Sequence, residues 1–282
     1  MRLAAVVILY NPGKGVISNI LSYLNHFEKV YVIDNTEESK ADIRQTIEQL
    51  RGTEYIHDGE NKGIAARLNE VCRISIEDGF NWLLTMDQDS FFKGNNIISY
   101  ISCMQAFDDL NEVSIIGVEY IIKGTDEATC NAIAATSLIT SGSMLNLKLF
   151  DLVGGFDEAL FIDQVDFEYC YRSIVKNYQV IQFKNVFLDH LLGETSVHKS
   201  LKSLKKTNRS LHSPLRLYYM TRNYLYIRSK YKKNFSNDIS RTRKDLLNRI
   251  KNNVLYGKER ITVVQMILKG VIDYKNKKMG KI

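Results

Sequence analysis

Over residues 1–90 short apolar runs alternate with stretches whose apolar positions recur at helical spacing. Residues 3–10 are apolar, partly β-branched, and stop at Asn11-Pro12-Gly13, the pattern of a buried strand and a turn. Val16, Ile20, Leu21, Leu24 and Phe27 then mark a helix. A second strand pattern (29–33) ends in Asp34, a second helix covers 40–51, and 54–56 is a short third strand. The turn Asn61-Lys62-Gly63 opens a helix that runs to about Asp78, and a fourth strand (82–86) ends in Asp87-Gln88-Asp89. Such alternation predicts an α/β fold, a mostly parallel sheet flanked by crossover helices. Ligands of such sheets bind beyond the carboxyl ends of the strands, where Asp34, the 61–63 turn and Asp87/Asp89 all fall.

Further along, 95–107 reads as a helix, 113–118 as a strand, and the small, polar stretch 128–143 as a sheet segment passing close to a ligand. A helix over 147–152 leads to Gly154-Gly155-Phe156-Asp157-Glu158. Residues 180–183 and 186–188 read as two short strands ending at Asp189-His190, and 199–213 as a polar, basic, mobile loop. Pro214 opens an aromatic-rich helix. In the last fifty residues, Val263, Val264, Met266, Ile267, Val271 and Ile272 form an apolar stripe beside Lys269, Lys275, Lys277 and Lys278. Packing on the core or a partner is the favoured reading of that stripe, with an interfacial membrane helix as the other. We expect one domain over 1–230 and a helical basic C-terminal extension over 231–282.

Composition narrows the picture. The chain has 282 residues, 45% of them hydrophobic, enough for one large α/β domain or a domain with an appendage. Its net charge is +6, with the basic residues concentrated from Lys199 onward, a distribution that attracts phosphates, nucleic acids or anionic lipid. The N-terminus enters an apolar run without a secretory pattern, and no run approaches the roughly 20 residues that span a bilayer. The expectation is a cytoplasmic protein. Four scattered cysteines (Cys72, Cys103, Cys130, Cys170) with no CxxC pair argue against zinc and read as reduced thiols. Tyr10-Asn11-Pro12-Gly13-Lys14-Gly15 carries neither a dinucleotide fingerprint nor a Walker lysine, which weighs against dehydrogenases and P-loop enzymes.

Candidate chemistry centres on the acids. Asp87 and Asp89 sit i, i+2 at a strand end, so both point to one side. Such a pair suits Mg²⁺ or Mn²⁺ together with substrate phosphates; an acidic turn capping the next helix is the alternative. Asp163, Asp166 and Glu168 precede or open a helix and serve either as caps or as a general base. His190 follows a strand and is either a third metal ligand or a structural histidine. Arg216 and Arg222 are candidate phosphate clamps.

In this order the motifs resemble the family-2 inverting glycosyltransferases of the GT-A fold, in particular the bacterial rhamnosyltransferases of surface polysaccharides. The resemblance covers roughly 1–230. It rests on Asp34-Asn35-Thr36, on Asn61-Lys62-Gly63-Ile64-Ala65-Ala66-Arg67-Leu68-Asn69, and on Met86-Asp87-Gln88-Asp89-Ser90. Gly154-Gly155-Phe156-Asp157-Glu158, Phe161-Ile162-Asp163, Val165-Asp166-Phe167-Glu168, His190 and Tyr218-Tyr219 with Arg222-Asn223 also match. It implies that Asp34 contacts the base or ribose, that the Asn61, Gly63 and Arg67 turn flanks the base, and that Asn11, Asp87, Gln88 and Arg222 complete the donor site. It further implies a metal held by Asp89, Asp87 and His190, and Asp166 as catalytic base. Val165 stands where the wider family has an acid, which leaves Asp163 as a rival base or acceptor contact, with Glu168 beside it. The implied donor is dTDP-L-rhamnose, with a UDP- or GDP-sugar as alternative, and the implied acceptor is a lipid-linked saccharide. An anionic membrane surface and a homodimer are the other partners considered. A sugar-phosphate nucleotidyltransferase is the rival enzyme; a nucleic-acid binder is disfavoured because acids crowd the site.

Overall fold

Every residue of Leu3–Leu9 (β1) is buried, because this strand is covered on both faces and flanked on both edges. The computed structural model describes residues 1–120, 130–190 and 211–282, with the backbone alone of 196–199 and 206–209. After β1 come α1 (Gly15–Leu21), β2 (Lys29–Asp34), α2 (Ala41–Glu48), β3 (Thr53–His57), α3 (Gly63–Glu77) and β4 (Trp82–Asp87). The next elements are β5 (Ser90–Phe91), α4 (Asn96–Gln105), β6 (Val113–Glu119), β7 (Ala132–Ala134), β8 (Ser143–Asn146) and α5 (Leu147–Val153). Then follow α6 (Val165–Val175), β9 (Gln179–Phe187), β10 (Asp189–His190), β11 (Ser196–Lys199) and β12 (Lys206–Arg209). Three helices close the chain: α7 (Pro214–Tyr231), α8 (Ser236–Tyr256) and α9 (Arg260–Lys275).

The main sheet has the order β3-β2-β1-β4-β8-β6-β9-β7. Its first four strands are parallel, as the β-α alternation predicts, and all their carboxyl ends lie on one rim. The other half is mixed, because β8 enters antiparallel between β4 and β6. The two short strands expected over 180–188 are one strand, β9; a register shift against β6 between Gly117 and Glu119 accounts for the apparent break. Part of the expected loop at 199–213 lies outside the described residues, and what is described is not loop alone: β11 and β12 pair antiparallel.

The described chain divides into two units, Met1–Phe161 with Val165–Leu191, and Ile162–Gln164 with Leu192–Ile282. In the first, Tyr100 of α4 reaches under the sheet, donates to the Ile116 carbonyl at 2.6 Å and meets Phe183 edge-on at 6.0 Å. In the second, α9 packs on α7 at Gly270, where a Cβ would come within 2.9 Å of the Tyr218 carbonyl oxygen. Beside that contact Asp273 joins Tyr218 (2.8 Å) and Lys269 (2.6 Å). The apolar stripe of this helix is only partly used: Val263 is buried, whereas Val264 and Ile272 are exposed. No described helix is long and apolar enough to cross a membrane.

Cys103 and Cys130 form a disulfide, whereas Cys72 and Cys170 are free and buried. This corrects the expectation of four reduced thiols; Cys103 on α4 and Cys130 just before β7 stand with their Cα atoms 5.4 Å apart, a spacing sequence distance does not reveal. Thiol titration of unfolded protein should therefore find two thiols without reductant and four after reduction. By the loop-closure relation, Cys103→Ser should lower stability in urea by about 2–4 kcal/mol under oxidising conditions. Four thiols without reductant would show that the bridge does not form.

Candidate functional site

The rim of the parallel strands gathers the polar groups. After β1, the Tyr10 backbone is held by Gln88: its N–H donates to Oε1 (2.9 Å), and Nε2 donates to its carbonyl (3.1 Å). Asn19 also donates to the Gln88 carbonyl at 2.8 Å. Gln88 thus fastens the turn between the two aspartates to the end of β1. Asp87 ends β4 exposed, its backbone N–H donating to Ser141 Oγ at 3.1 Å. Ser141 donates to Ser90 Oγ (2.9 Å), which lies 3.0 Å from His190 Nδ1. The pairing of β5 with β10 sets His190 opposite Ser90, and the same ring nitrogen is 3.3 Å from Asp89 Oδ1. The structure therefore brings Asp89 and His190 together across a hundred residues of sequence.

A second cluster lies at the ends of β2 and β3. Asp34 is buried and satisfied: Oδ1 accepts from the Thr36 N–H (3.0 Å) and Oδ2 from the Tyr55 hydroxyl (2.6 Å). Burial and the Asp34 carboxylate push the Tyr55 phenol well up, so it stays a donor. Asn11, at φ +49°, is tied by its N–H to Thr36 Oγ1. Asn35 accepts from Lys62 N–H and Arg67 Nε and donates to Asn61, whose side chain in turn accepts from Gly63 N–H. Arg67 has no exposed surface and is enclosed by Asp58, Glu70 (2.7 Å) and the Glu60 carbonyl (2.7 Å). The guanidinium holds the Asp58 carboxyl well below the usual carboxylate range. Gly63, at φ +81°, has no room for a side chain: a Cβ would lie 2.6 Å from the Phe161 carbonyl oxygen, which accepts from Ile64 N–H. Asn35, the residue after Asp34, thus joins Asn61, Gly63 and Arg67 into one network.

The three acids of the 163–168 segment have different surroundings. Asp166 opens α6, half-buried, with Oδ1 accepting its neighbour's N–H at 2.9 Å. The Tyr120 phenol feels the charges of both Asp87 and Asp166, which, with burial as the main cause, keep it protonated. Glu168 is fully buried and bonds Arg172 (2.6 Å), which in turn donates to the carbonyls of Val153, Gly154 and Gly155. Asp163 lies in the second unit, at φ +67°, its carboxylate 2.7–2.9 Å from Arg216. Burial lifts its carboxyl above the ordinary range, against the pull of that arginine. Asn223 donates to the carbonyls of Ile162 (2.6 Å) and Asp163 (3.0 Å) and so braces this left-handed stretch. Arg222 is fully buried within the second unit and bonded to Asn223, Tyr218 and the Gly280 carbonyl. The residue expected to complete the donor site thus has no exposed surface in this structure. Arg216, the other expected clamp, is bonded to Asp163.

Sequence reasoning gave no individual role to Tyr120, Ser90, Ser141 or Asp58. Tyr120 and Asp58 each follow a strand directly, the same signal that exposed Asp34 and Asp87. The two serines carry no such signal, because their role depends on β5 pairing with β10.

Among the described residues no three His, Cys, Asp or Glu side chains gather closely enough to hold an ion alone. The donor set nevertheless fits a hard divalent cation that takes further oxygens from a substrate phosphate. Asp89 and His190 stand together, Asp87 is exposed beside them in sequence, and Ser90 supports the imidazole.

Residues 4–137 match glycosyl transferase family 2, and the chain is similar in fold to the GT-A glycosyltransferases. It is 27% identical over 247 residues, 80% of each chain, to the dTDP-rhamnosyl transferase RfbF of Shigella flexneri. Among solved structures it resembles S. aureus TarS 1–349 in complex with UDP-GlcNAc, with a TM-score of 0.55 and 13% identity, over 97% of this chain and 80% of that one. It also resembles GalNAc-T7 with UDP, GalNAc and Mn²⁺, with a TM-score of 0.62 and 9% identity, over 98% of this chain and 57% of that one. At these identities the two structures speak for the fold.

Arg67→Ala should leave Asp58 and Glu70 facing each other without their shared cation. We expect a loss of about 3–5 kcal/mol in urea unfolding. A loss below about 1 kcal/mol would show that the network is solvated rather than structural.

Proposed function

We propose that the protein is an inverting, metal-dependent glycosyltransferase that moves L-rhamnose from dTDP-L-rhamnose to a lipid-linked saccharide in bacterial surface-polysaccharide assembly. The observation that carries the reading is the cluster of Asp89, His190 and Ser90, with Asp87 two residues before Asp89 at the strand rim. The similarity to a rhamnosyl transferase supports the choice of sugar. Asp34 and the Asn35–Asn61–Arg67 network would receive the nucleoside, and Asp87, Asp89 and His190 would hold Mg²⁺ or Mn²⁺ with the diphosphate. The bound ion would offset the charge that develops on the departing nucleoside diphosphate. Asp166 takes the proton of the acceptor hydroxyl while that oxygen attacks C1 from the face opposite the leaving group. The bond from C1 to the phosphate oxygen breaks, dTDP leaves, and configuration inverts. Because a lipid-linked acceptor stays in its bilayer, the reading includes a peripheral position at the inner face of the plasma membrane.

Asp166→Asn should cut turnover about 10²–10⁴-fold while donor affinity stays near wild type, because an amide accepts no proton. Near-wild-type turnover would remove Asp166 as the base. Asp89→Ala should instead weaken nucleotide binding, and only when metal is present. Calorimetric titration with dTDP, UDP and GDP, each with Mn²⁺ and with EDTA, tests donor and metal together. Metal-dependent binding selective for dTDP supports the reading; selectivity for UDP or GDP changes the sugar; equal binding in EDTA argues against the metal.

A further inference from the structure

The charge of the chain is sharply divided. Residues 211–282 hold eighteen Lys and Arg against four Asp and Glu, a net of +14, whereas residues 1–210 hold twenty against twenty-eight. On α9 this basic segment also presents apolar surface. Ile261 (76% exposed), Val264 (44%), Leu268 (56%) and Ile272 (55%) follow one another at spacings of three, four and four, which sets them on one helical face. Lys275, three residues on and exposed, completes that face. From Ile261 to Lys275 the stripe is about 21 Å long. The opposite side, with Val263, Gly270 and Asp273, is buried. Asp273 is the single carboxylate of α9, and it is turned inward and neutralised by Lys269 and Tyr218, so no acid of this helix faces the stripe. On α8 the same spacing recurs with Lys244, Leu247, Lys251 and Leu255, all exposed.

We propose that the outward face of α9 is a docking surface for an anionic lipid bilayer. The helix would lie in the interface plane, with Ile261, Val264, Leu268 and Ile272 in the headgroup–acyl boundary. Lys275 and the basic residues around it would meet the lipid phosphates. Charge complementarity selects this occupant. A second copy would bring one +14 segment against another and, across a two-fold axis, the outward face of α9 against a face that equally carries no acid of its own helix. An anionic surface reverses the sign of that interaction. The apolar residues supply what charge alone lacks, a contact that survives partial screening by salt. The proposal takes its biological reason from the proposed lipid-linked acceptor, but the binding itself involves no sugar.

The test is flotation of the full chain with phosphatidylcholine vesicles, with and without phosphatidylglycerol. Binding should require phosphatidylglycerol and weaken as salt rises. Leu268→Asp with Ile272→Asp should lower partitioning roughly tenfold or more. Both side chains are exposed, so the melting temperature should hold, and a matched melt confirms it. Lys275→Glu should shift binding in the same direction by a smaller factor. Wild-type protein that stays off phosphatidylglycerol vesicles at low salt would overturn the proposal, as would a double variant that floats like wild type. So would a wild-type dimer that the double variant converts to monomer with vesicle binding unchanged, because the stripe would then serve a second copy. Transfer of rhamnose to a water-soluble acceptor is measured separately. Its failure beside intact vesicle binding would overturn the proposed reaction and leave the docking surface standing.

Discussion

A strand covered on both faces can release polar side chains only where it ends, and this constraint sets the place of almost everything else. β1 is buried throughout, and β2 and β4 nearly so; Asp34 closes β2 still buried, Asp87 is the exposed last residue of β4, Asp58 directly follows β3, and Asp89 lies two residues past Asp87. Carboxylates gathered on one rim repel one another unless their charge is offset. The protein offsets part of it: Arg67 neutralises Asp58 and Glu70, and Tyr55 donates to Asp34. At Asp89 the neighbouring group is the His190 imidazole, which Ser90 supports.

Amide side chains give the rim its shape. Asn35 joins the Lys62 and Arg67 donors to Asn61. Asn69 on α3 accepts from Phe156 N–H (2.7 Å) and donates to the Phe156 carbonyl (2.9 Å), holding the glycine pair before it in place. Asn223 does the same for the carbonyls of Ile162 and Asp163. Each amide satisfies backbone groups that no strand or helix could pair, in loops where Gly155, Phe161, Asp163 and Gln164 adopt positive φ. Removing one would leave both strain and unpaired carbonyls.

The β-α alternation was legible because its signals are local: period, turn residues, and an acid at each strand end. The motifs at Asp34, Asn61 and Asp87 were legible for the same reason. What escaped depends on distant pairing. The antiparallel insertion of β8, the continuity of β9 and the meeting of Cys103 with Cys130 follow from the three-dimensional course of the chain, to which hydrophobic period is blind. The enclosure of Arg222 by Tyr218, Asn223 and the Gly280 carbonyl was hidden for a related reason, since an arginine on an aromatic helix carries no local sign of its burial.

Three carboxylates within six residues compete for the role of base, and their surroundings rank them. Glu168 is fully buried and paired with Arg172, which closes it off from an acceptor. Its work is to keep Arg172 aimed at the carbonyls of Val153, Gly154 and Gly155, which shapes the approach to α6. Asp163 has the raised affinity for protons that a base needs, but the burial that raises it also removes it from an acceptor, and Arg216 occupies its oxygens. Asp166 is half-buried at the start of α6, with Tyr120 in reach of its field and with that of Asp87. Its Oδ1 accepts its neighbour's N–H in the first turn of the helix. That combination of exposure and restraint favours Asp166 over both neighbours.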